Sequence, residues 1–307
     1  MAGPGRAGQA LSAMLLLSAI GAGTYADRPQ PRSIRIAGEF RILAADFHLH
    51  SSMWSNGTLT PWGLVLEAER HALDAIAITG HDELVDARIA RRFSRWIGGP
   101  TVIVGEEIQS QSRYHMVALG VGERIDFRLP AAAAVDAIHA QAGIAIAAHP
   151  LKRFDGWDAA ATKRLDAAEI CHPTIYQRER AQEEFEAFAA GASAAAIGSS
   201  DFHGLGAMGA CRTFVFAADN TPSAILDAIR ARRTVVYGRD GTAYGDPALI
   251  PLAERARLRE AAEEWRSRGG ALDWWSRVAG VIGLFGLIVG GAERPASHPP
   301  LRRQQSP

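Results

Sequence analysis

Cysteine is scarce in this sequence. Only Cys171 and Cys211 occur, with no CxxC, which excludes a disulfide scaffold and a thiolate zinc site and leaves nitrogen and oxygen as ligands for any metal. An excess of charge is lacking as well: Lys plus Arg and Asp plus Glu both total 33. No overall positive field marks the chain as a binder of duplex nucleic acid or of an anionic membrane, and no protein partner is indicated. No long internal repeat is evident. What is present is 307 residues, enough for one large core of the size α/β barrels reach, roughly 250 residues.

Both ends carry apolar segments. After Arg6, residues 10–23 lead to Thr24-Tyr25-Ala26, the basic start, short core and small-residue exit of a secretory signal peptide over residues 1–26. The alternative is an uncleaved N-terminal anchor; export is the expectation either way. At the other end, residues 272–292 are expected to form a transmembrane segment, with Trp274 and Trp275 as an aromatic belt and Asp273 and Arg277 reaching the headgroups. Gly286 and Gly290 make a GxxxG, weak evidence in so Gly-rich a run. The tail, residues 293–307, is expected to be disordered, and Arg294, Arg302 and Arg303 place it in the cytoplasm by the positive-inside tendency. The bulk of the chain then lies in a bacterial periplasm or at a cell surface. Residues 251–271 read as a charged connecting helix.

Residues 40–250 alternate short apolar runs with helical patterns. The pattern predicts strands at 41–47, 75–79, 101–105, 115–121, 143–148, 167–171 and 194–199. Helices are predicted at 61–73 behind Thr60 and Pro61, then at 84–97, 131–141, 177–190 and 222–232. Repeated strand–helix units imply a parallel sheet, open or closed. Nearly every predicted strand ends in a metal-type residue: His48 and His50, His81, Glu106 and Glu107, His149, Glu169 and His172, Asp201 and His203. In a barrel those ends converge on one mouth. His48-Leu49-His50 puts both rings on one face of an extended segment.

Six segments in order resemble the polymerase and histidinol phosphatase (PHP) family of metal-dependent phosphoesterases. They are DFHLHSSMWSNGTLTP (46–61), AITGHDE (77–83), VGEEIQS (104–110), HMVALG (115–120), GIAIAAHP (143–150) and GSSDFHG (198–204). The resemblance implies a distorted seven-stranded TIM-like α/β barrel with two or three divalent ions. By it, His48, His50, Glu107 and Asp201 hold a first ion, Glu107 bridges to a second with His115 and His149, and a third sits near Asn56, His81 and His203. Mixed imidazole and carboxylate donors suit Zn, Mn or Fe, and a bridged pair acidifies a bound water, the expected nucleophile towards phosphorus. Asn56 stands where the family usually has a carboxylate, which favours two ions over three. Lys152 and Arg153, after His149-Pro150, are the expected phosphate-binding cations, with Arg113 a weaker candidate; Asp82 is the expected partner orienting His81.

His71 and His139 lie in predicted helices and read as structural or surface groups, His172 is ambiguous, and Trp54 and Trp62 either shape a rim or pack. The expected substrate is a small phosphomonoester, a nucleotide or a short oligonucleotide. Two other readings compete. An amidohydrolase-type metal hydrolase also uses a strand-end HxH but calls for a bridging carboxylated Lys, and no Lys ends a predicted strand. A membrane-anchored binding module with a vestigial site is the other, with Asn56 its one sign of decay.

Overall fold

The computed structural model describes residues 5–26, 28, 32–176, 178, 180–204, 207–266 and 271–291. They fall into two compact units. One comprises Pro29–Arg268, the other the two ends of the chain, Met1–Arg28 and Gly269–Pro307. The terminal unit contains α1 (Arg6–Ala26), the one described helix long and apolar enough to cross a membrane. The larger unit carries β1 (Arg35–Ala37) to β11 and α2 to α9.

β1 forms an antiparallel hairpin with β2 (Phe40–Asp46). Along β2 the side chains alternate: Ile42 and Ala44 pack outward under the helices, whereas Leu43 and Ala45 point into a second cluster inside the sheet. α2 (Pro61–Arg70) starts where Thr60 accepts the Gly63 N–H at 3.1 Å and Pro61 occupies the first turn. It leads to β3 (Ala75–His81), parallel to β2, and α3 (Val85–Ile97) leads to β4 (Thr101–Gln109), parallel to β3. β5 (His115–Leu119) turns back antiparallel on β4. After α4 (Ala131–Ala140), β6 (Ile144–Ala147) pairs antiparallel with β5. Beyond α5 (Ala159–Thr162), β7 (Ala167–Cys171) resumes the parallel order, and α6 (Ala181–Ala192) leads to β8 (Ala195–Gly198).

β9 (Thr213–Ala217) pairs antiparallel with β2. Beyond α7 (Pro222–Arg230), β10 (Thr234–Tyr237) and β11 (Ala243–Gly245) extend that side. The Gly198 N–H donates to Thr213 Oγ1 at 2.9 Å, and that hydroxyl donates back to Gly198 O. β8 is thereby drawn against β9, so the sheet is a nearly closed, TIM-like α/β barrel.

All seven predicted strands are present, and the barrel has four more. The expected all-parallel order does not hold. Only five residues separate β4 from β5, too few for a parallel crossover, so the chain can only return antiparallel. The connecting helix expected at 251–271 is replaced by α8 (Ile250–Arg255) and α9 (Leu258–Arg266), broken at Arg257 with φ 56°. Ala253, Leu258 and Ala262 are buried in the outer core, so this segment covers the barrel. The last described element is α10 (Ala271–Gly291), in which the apolar run Trp274–Gly290 lies. The predicted tail at 293–307 lies outside the described residues.

Candidate metal centre

The strand ends bring chemistry to one place through register. Parallel pairing sets His81 of β3 opposite Glu107 of β4, and the His81 Nδ1 stands 3.0 Å from Glu107 Oε2. Glu106 and Glu107 are consecutive, so they face opposite sides of the sheet. Glu107 enters the cluster, whereas Glu106 accepts the Ile125 N–H at 2.6 Å on the other side, and burial raises its carboxyl pKa to about 7. Past β2, the Leu49 N–H donates to Thr79 Oγ1 and its side chain is fully buried. His48 and His50, flanking it, turn together to the other side. Asp46 then ties this segment to the loop after β8, accepting from Ser200 N–H at 3.1 Å and Gly209 N–H at 2.8 Å. Asp201 is carried beside the paired imidazoles.

The distances are short throughout. His48 Nε2 lies 3.3 Å from Glu107 Oε2 and 3.4 Å from Asp201 Oδ1; His50 Nε2 lies 3.4 Å and 3.0 Å from the same atoms. On the other carboxylate oxygen, Glu107 Oε1 meets His115 Nδ1 at 2.9 Å and His149 Nε2 at 3.1 Å. Three sets bring their ligand atoms within 4.8 Å of one another: His48, His50 and Asp201; His48, Glu107 and His149; and His50, His81 and His203. His48 Nε2 and His50 Nε2 are buried, facing those carboxylates without well-aligned hydrogen bonds to them. A buried ring nitrogen without a well-aligned partner is costly unless something else binds it. The donor set therefore fits divalent ions, and metal-binding groups are present at the mouth.

Electrostatics favours ligand-ready carboxylates. Burial alone would raise the Glu107 carboxyl, but His48, His115 and His149 hold it well below its usual range. Burial opposes Asp201 in the same way, and His48, His172 and His50 depress it strongly. For His48 burial works against the imidazolium, yet the surrounding carboxylates of Asp201, Glu107 and Glu169 push its pKa well above the ordinary 6.5. His50 goes the other way, down to about 4, through burial and the neighbouring His48 charge. Without a metal, His48 carries the proton the cluster needs, and His50 stays neutral.

Asn56 and His115 both stand at the cluster, Asn56 Oδ1 3.1 Å from His81 Nε2 and His115 Nδ1 2.9 Å from Glu107 Oε1; other expected residues lie elsewhere. Asp82 does not orient His81. Its backbone is left-handed at φ 51° and its carboxylate accepts the Gln109 N–H at 3.3 Å, because neighbours in sequence project to different sides. The amide of Gln109 meets His81 Nε2 instead, at 3.3 Å. Arg153 lies 4.8 Å over the ring of Phe154, and that ring packs against His115 and His149 at 4.4 and 5.1 Å between centroids. Lys152 is exposed, and Arg113 pairs with Asp155 at 3.0 Å. His71 meets Glu67 and His139 meets Asp166, both apart from the cluster. Trp54 and Trp62 are both exposed.

Two residues had a signal in the sequence and were given no role from it. Glu169 is a charge inside the apolar strand β7, fully surrounded, with Oε1 2.8 Å from His48 Nδ1 and Oε2 accepting the His149 N–H at 2.6 Å. It fixes the His48 tautomer so that Nε2 faces the cluster, the usual task of a carboxylate behind a ligating histidine. His172, left ambiguous, places Nε2 3.3 Å from Asp201 Oδ2 while Nδ1 meets Thr174 Oγ1 at 2.8 Å. Glu169→Gln should weaken zinc or manganese binding about 10- to 100-fold, read by competition with a chromophoric chelator; unchanged affinity would leave Glu169 a purely structural group.

The loop from Ser51 to Thr60 is locked by contact. A Cβ on Gly57 would stand 2.0 Å from His50 O, so only glycine allows the loop to fold back on the HxH segment. The Thr58 N–H donates to His203 O at 3.0 Å, which ties this loop to the Asp201–His203 loop. Asp201 and His149 have left-handed backbones, at φ 47° and 28°; such strain outside glycine concentrates at functional sites.

The family model described as PHP-associated matches residues 179–234, a stretch that includes Asp201 and His203. Among solved structures, the chain is similar to a two-domain protein from Bacteroides vulgatus containing a predicted PHP-like metal-dependent phosphoesterase. The identity is 22%, the TM-score is 0.60, and the match covers 75% of this chain and 74% of that one. This likeness shows the fold. Further similarities are to a putative metal-dependent phosphoesterase from Bifidobacterium adolescentis (20% identity, TM-score 0.42, 56% of this chain and 90% of that one). Another is to an amidohydrolase from Chromobacterium violaceum (15% identity, TM-score 0.42, 70% and 96%). No curated protein matches the chain. The barrel fold and the histidine and carboxylate groups stand together on this chain.

Proposed function

We propose that this PHP barrel hydrolyses a phosphate ester, a small phosphomonoester, a nucleotide or a short oligonucleotide, with divalent Zn, Mn or Fe held at the strand ends. The observation that carries the reading is the convergence of buried imidazoles on two depressed carboxylates, with two Nε2 atoms left without well-aligned hydrogen bonds. His48, His50, Glu107 and Asp201 would hold one ion, and Glu107, His115 and His149 a second. His81, His203 and Asn56 would serve a third, less favoured because an amide donates less strongly than a carboxylate. Divalent ions, when bound, supply Lewis-acid polarisation of phosphoryl oxygens and acidify a ligating water.

The chain's own groups prepare that chemistry. Glu107 offers one oxygen to His48, His50 and His81 and the other to His115 and His149, so it is the group able to join two neighbouring sites. Glu169 holds His48 in its tautomer, and His172 steadies Asp201. Arg153, over the ring of Phe154, and the exposed Lys152 would supply positive charge near the rim for an anionic substrate. Phe154 shields the same edge from water. In this reading the barrel works outside the cytoplasm, anchored through residues 272–292.

The deciding experiment offers phosphomonoesters, phosphodiesters and amides to the chain after chelation and after reloading with Zn, Mn or Fe. Phosphate release that appears only on reloading is the expected result. Amide turnover without phosphate release would reverse the ranking in favour of an amidohydrolase.

A further inference from the structure

The terminal unit packs in a way that a cleaved leader would not. α1 and α10 run antiparallel, and their contacts form a ladder: Gly23 with Ser276, Ala19 with Gly280, Leu16 with Gly283, Ser12 with Gly286, and Gln9 with Gly290. The backbones approach closely. A Cβ on Gly283 would stand 2.7 Å from Leu16 N and 2.8 Å from Ser12 O, so α10 can seat α1 only where glycine repeats along one face. Two polar groups of α1 are half-buried, Gln9 Nε2 donating to Gly290 O at 2.5 Å and Ser12 Oγ donating to Gly8 O at 2.9 Å, whereas Ser18 and Thr24 are exposed.

The large apolar side chains face the other way. Leu11, Leu17 and Ile20 of α1 are 64, 67 and 55% exposed, and Val281, Phe285 and Ile288 of α10 are 69, 66 and 62% exposed, whereas the small Ala19 and Ala279 are buried. In water a helix pair buries its large hydrophobic groups. Small residues inside with large apolar ones outside is the arrangement of helices surrounded by lipid. Length agrees for α1, whose 21 residues rise about 31 Å at 1.5 Å per residue against a hydrocarbon core of about 30 Å, and the apolar run Trp274–Gly290 of α10 is shorter. One end also carries the aromatic belt: Tyr25 of α1 lies level with Trp274 and Trp275 of α10, all exposed.

We propose that α1 is retained in the mature chain and pairs with α10 as a glycine-packed two-helix hairpin whose outer faces are covered by a lipid bilayer. This replaces the cleaved signal peptide and the single C-terminal span by one anchor made from both ends of the chain. It rests on the membrane anchoring proposed above but not on the hydrolase reading. Arg6 stands at the end opposite Tyr25, the cytoplasmic one by the positive-inside tendency.

The test uses the full chain in membranes with Gly23→Cys and Ser276→Cys. The Gly23 Cβ position lies 3.6 Å from Ser276 Cβ, inside the range a disulfide needs, while the native Cys171 and Cys211 are buried in the barrel. The expected result is a chain that survives alkaline carbonate washing and keeps residues 5–26 by intact mass. On oxidation more than half of it should form the intramolecular crosslink. The control pair Gly21→Cys and Ser276→Cys should react little, since nothing lies within 4 Å of Gly21, and adding Gly283→Leu to the reactive pair should cut its yield. A mature chain beginning after Ala26, or a full-length integral chain that does not crosslink, overturns the hairpin. The second of these leaves the anchoring itself standing, while loss on carbonate washing overturns both. Phosphate release is assayed separately and decides neither.

Discussion

Asp201→Asn removes phosphate release almost completely while the barrel stays folded. The carboxylate lies 3.0 Å from His50 Nε2, 3.4 Å from His48 Nε2 and 3.3 Å from His172 Nε2. The amide keeps its shape and hydrogen-bonding reach but removes the charge. A ligand of that kind supports several kcal/mol of transition-state stabilisation, so the expected loss in kcat/KM is about 10³-fold, at 1.36 kcal/mol per factor of ten. The melting temperature of the variant separates this from unfolding. A cooperative transition near that of the unaltered chain, with turnover gone, is the predicted pair of results. Retention of more than a tenth of the activity would mean that Asp201 only pins the loop after β8.

The second large effect is a pH dependence of metal binding. His48 is raised well above 6.5 by the three carboxylates around it, so the metal-free chain holds a proton there at neutral pH. A ligating imidazole must be neutral, and binding therefore expels that proton. Apparent affinity should climb about tenfold per pH unit below the raised His48 pKa and level off above it. Stability of the metal-free chain follows the opposite course. The His48 contribution is fully present below its unfolded value of about 6.5 and is lost as pH rises through the folded value. Glu107 and Asp201, whose pKa values are depressed, contribute stability above about pH 4 that is lost only as pH falls through their folded values. Melting curves should show the metal-free chain weakening from pH 6 to pH 9 and added zinc restoring it, most strongly at the alkaline end. Zinc affinity independent of pH between 6 and 8 would contradict the protonated His48.

Much of the barrel was legible because six of the seven predicted strands are apolar runs closed by an imidazole or a carboxylate, and the other opens with His115. β9 and β10 are just as apolar, Thr-Phe-Val-Phe-Ala and Thr-Val-Val-Tyr, but no histidine marks their ends. β1 and β11 are three residues each, below the length at which alternation can register. The antiparallel return of β5 was implicit in the five residues that precede it. The break at Arg257 was not, since good helix formers lie on both sides and only packing of Leu258 against the core decides it.

At the site, the residues later found together were mostly those at strand ends. Glu107 could be separated from Glu106 only by resemblance, and the sheet separates them by facing. Glu169 stood out as a charge within Ala-Ala-Glu-Ile-Cys, although its partner His48 is 121 residues away, a distance no spacing rule spans. Asp82 misled for the converse reason: adjacency to His81 in sequence is not adjacency of side chains. Phe154 and the pairing of α1 with α10 depend on tertiary contacts that no local pattern encodes.

Elemental analysis of the purified chain tests the central claim most directly. The account predicts two or three Zn, Mn or Fe ions per chain, displaced by a chelator together with phosphate release and recovered on reloading. A chain that stays metal-free after exposure to all three, with the barrel folded, would contradict it.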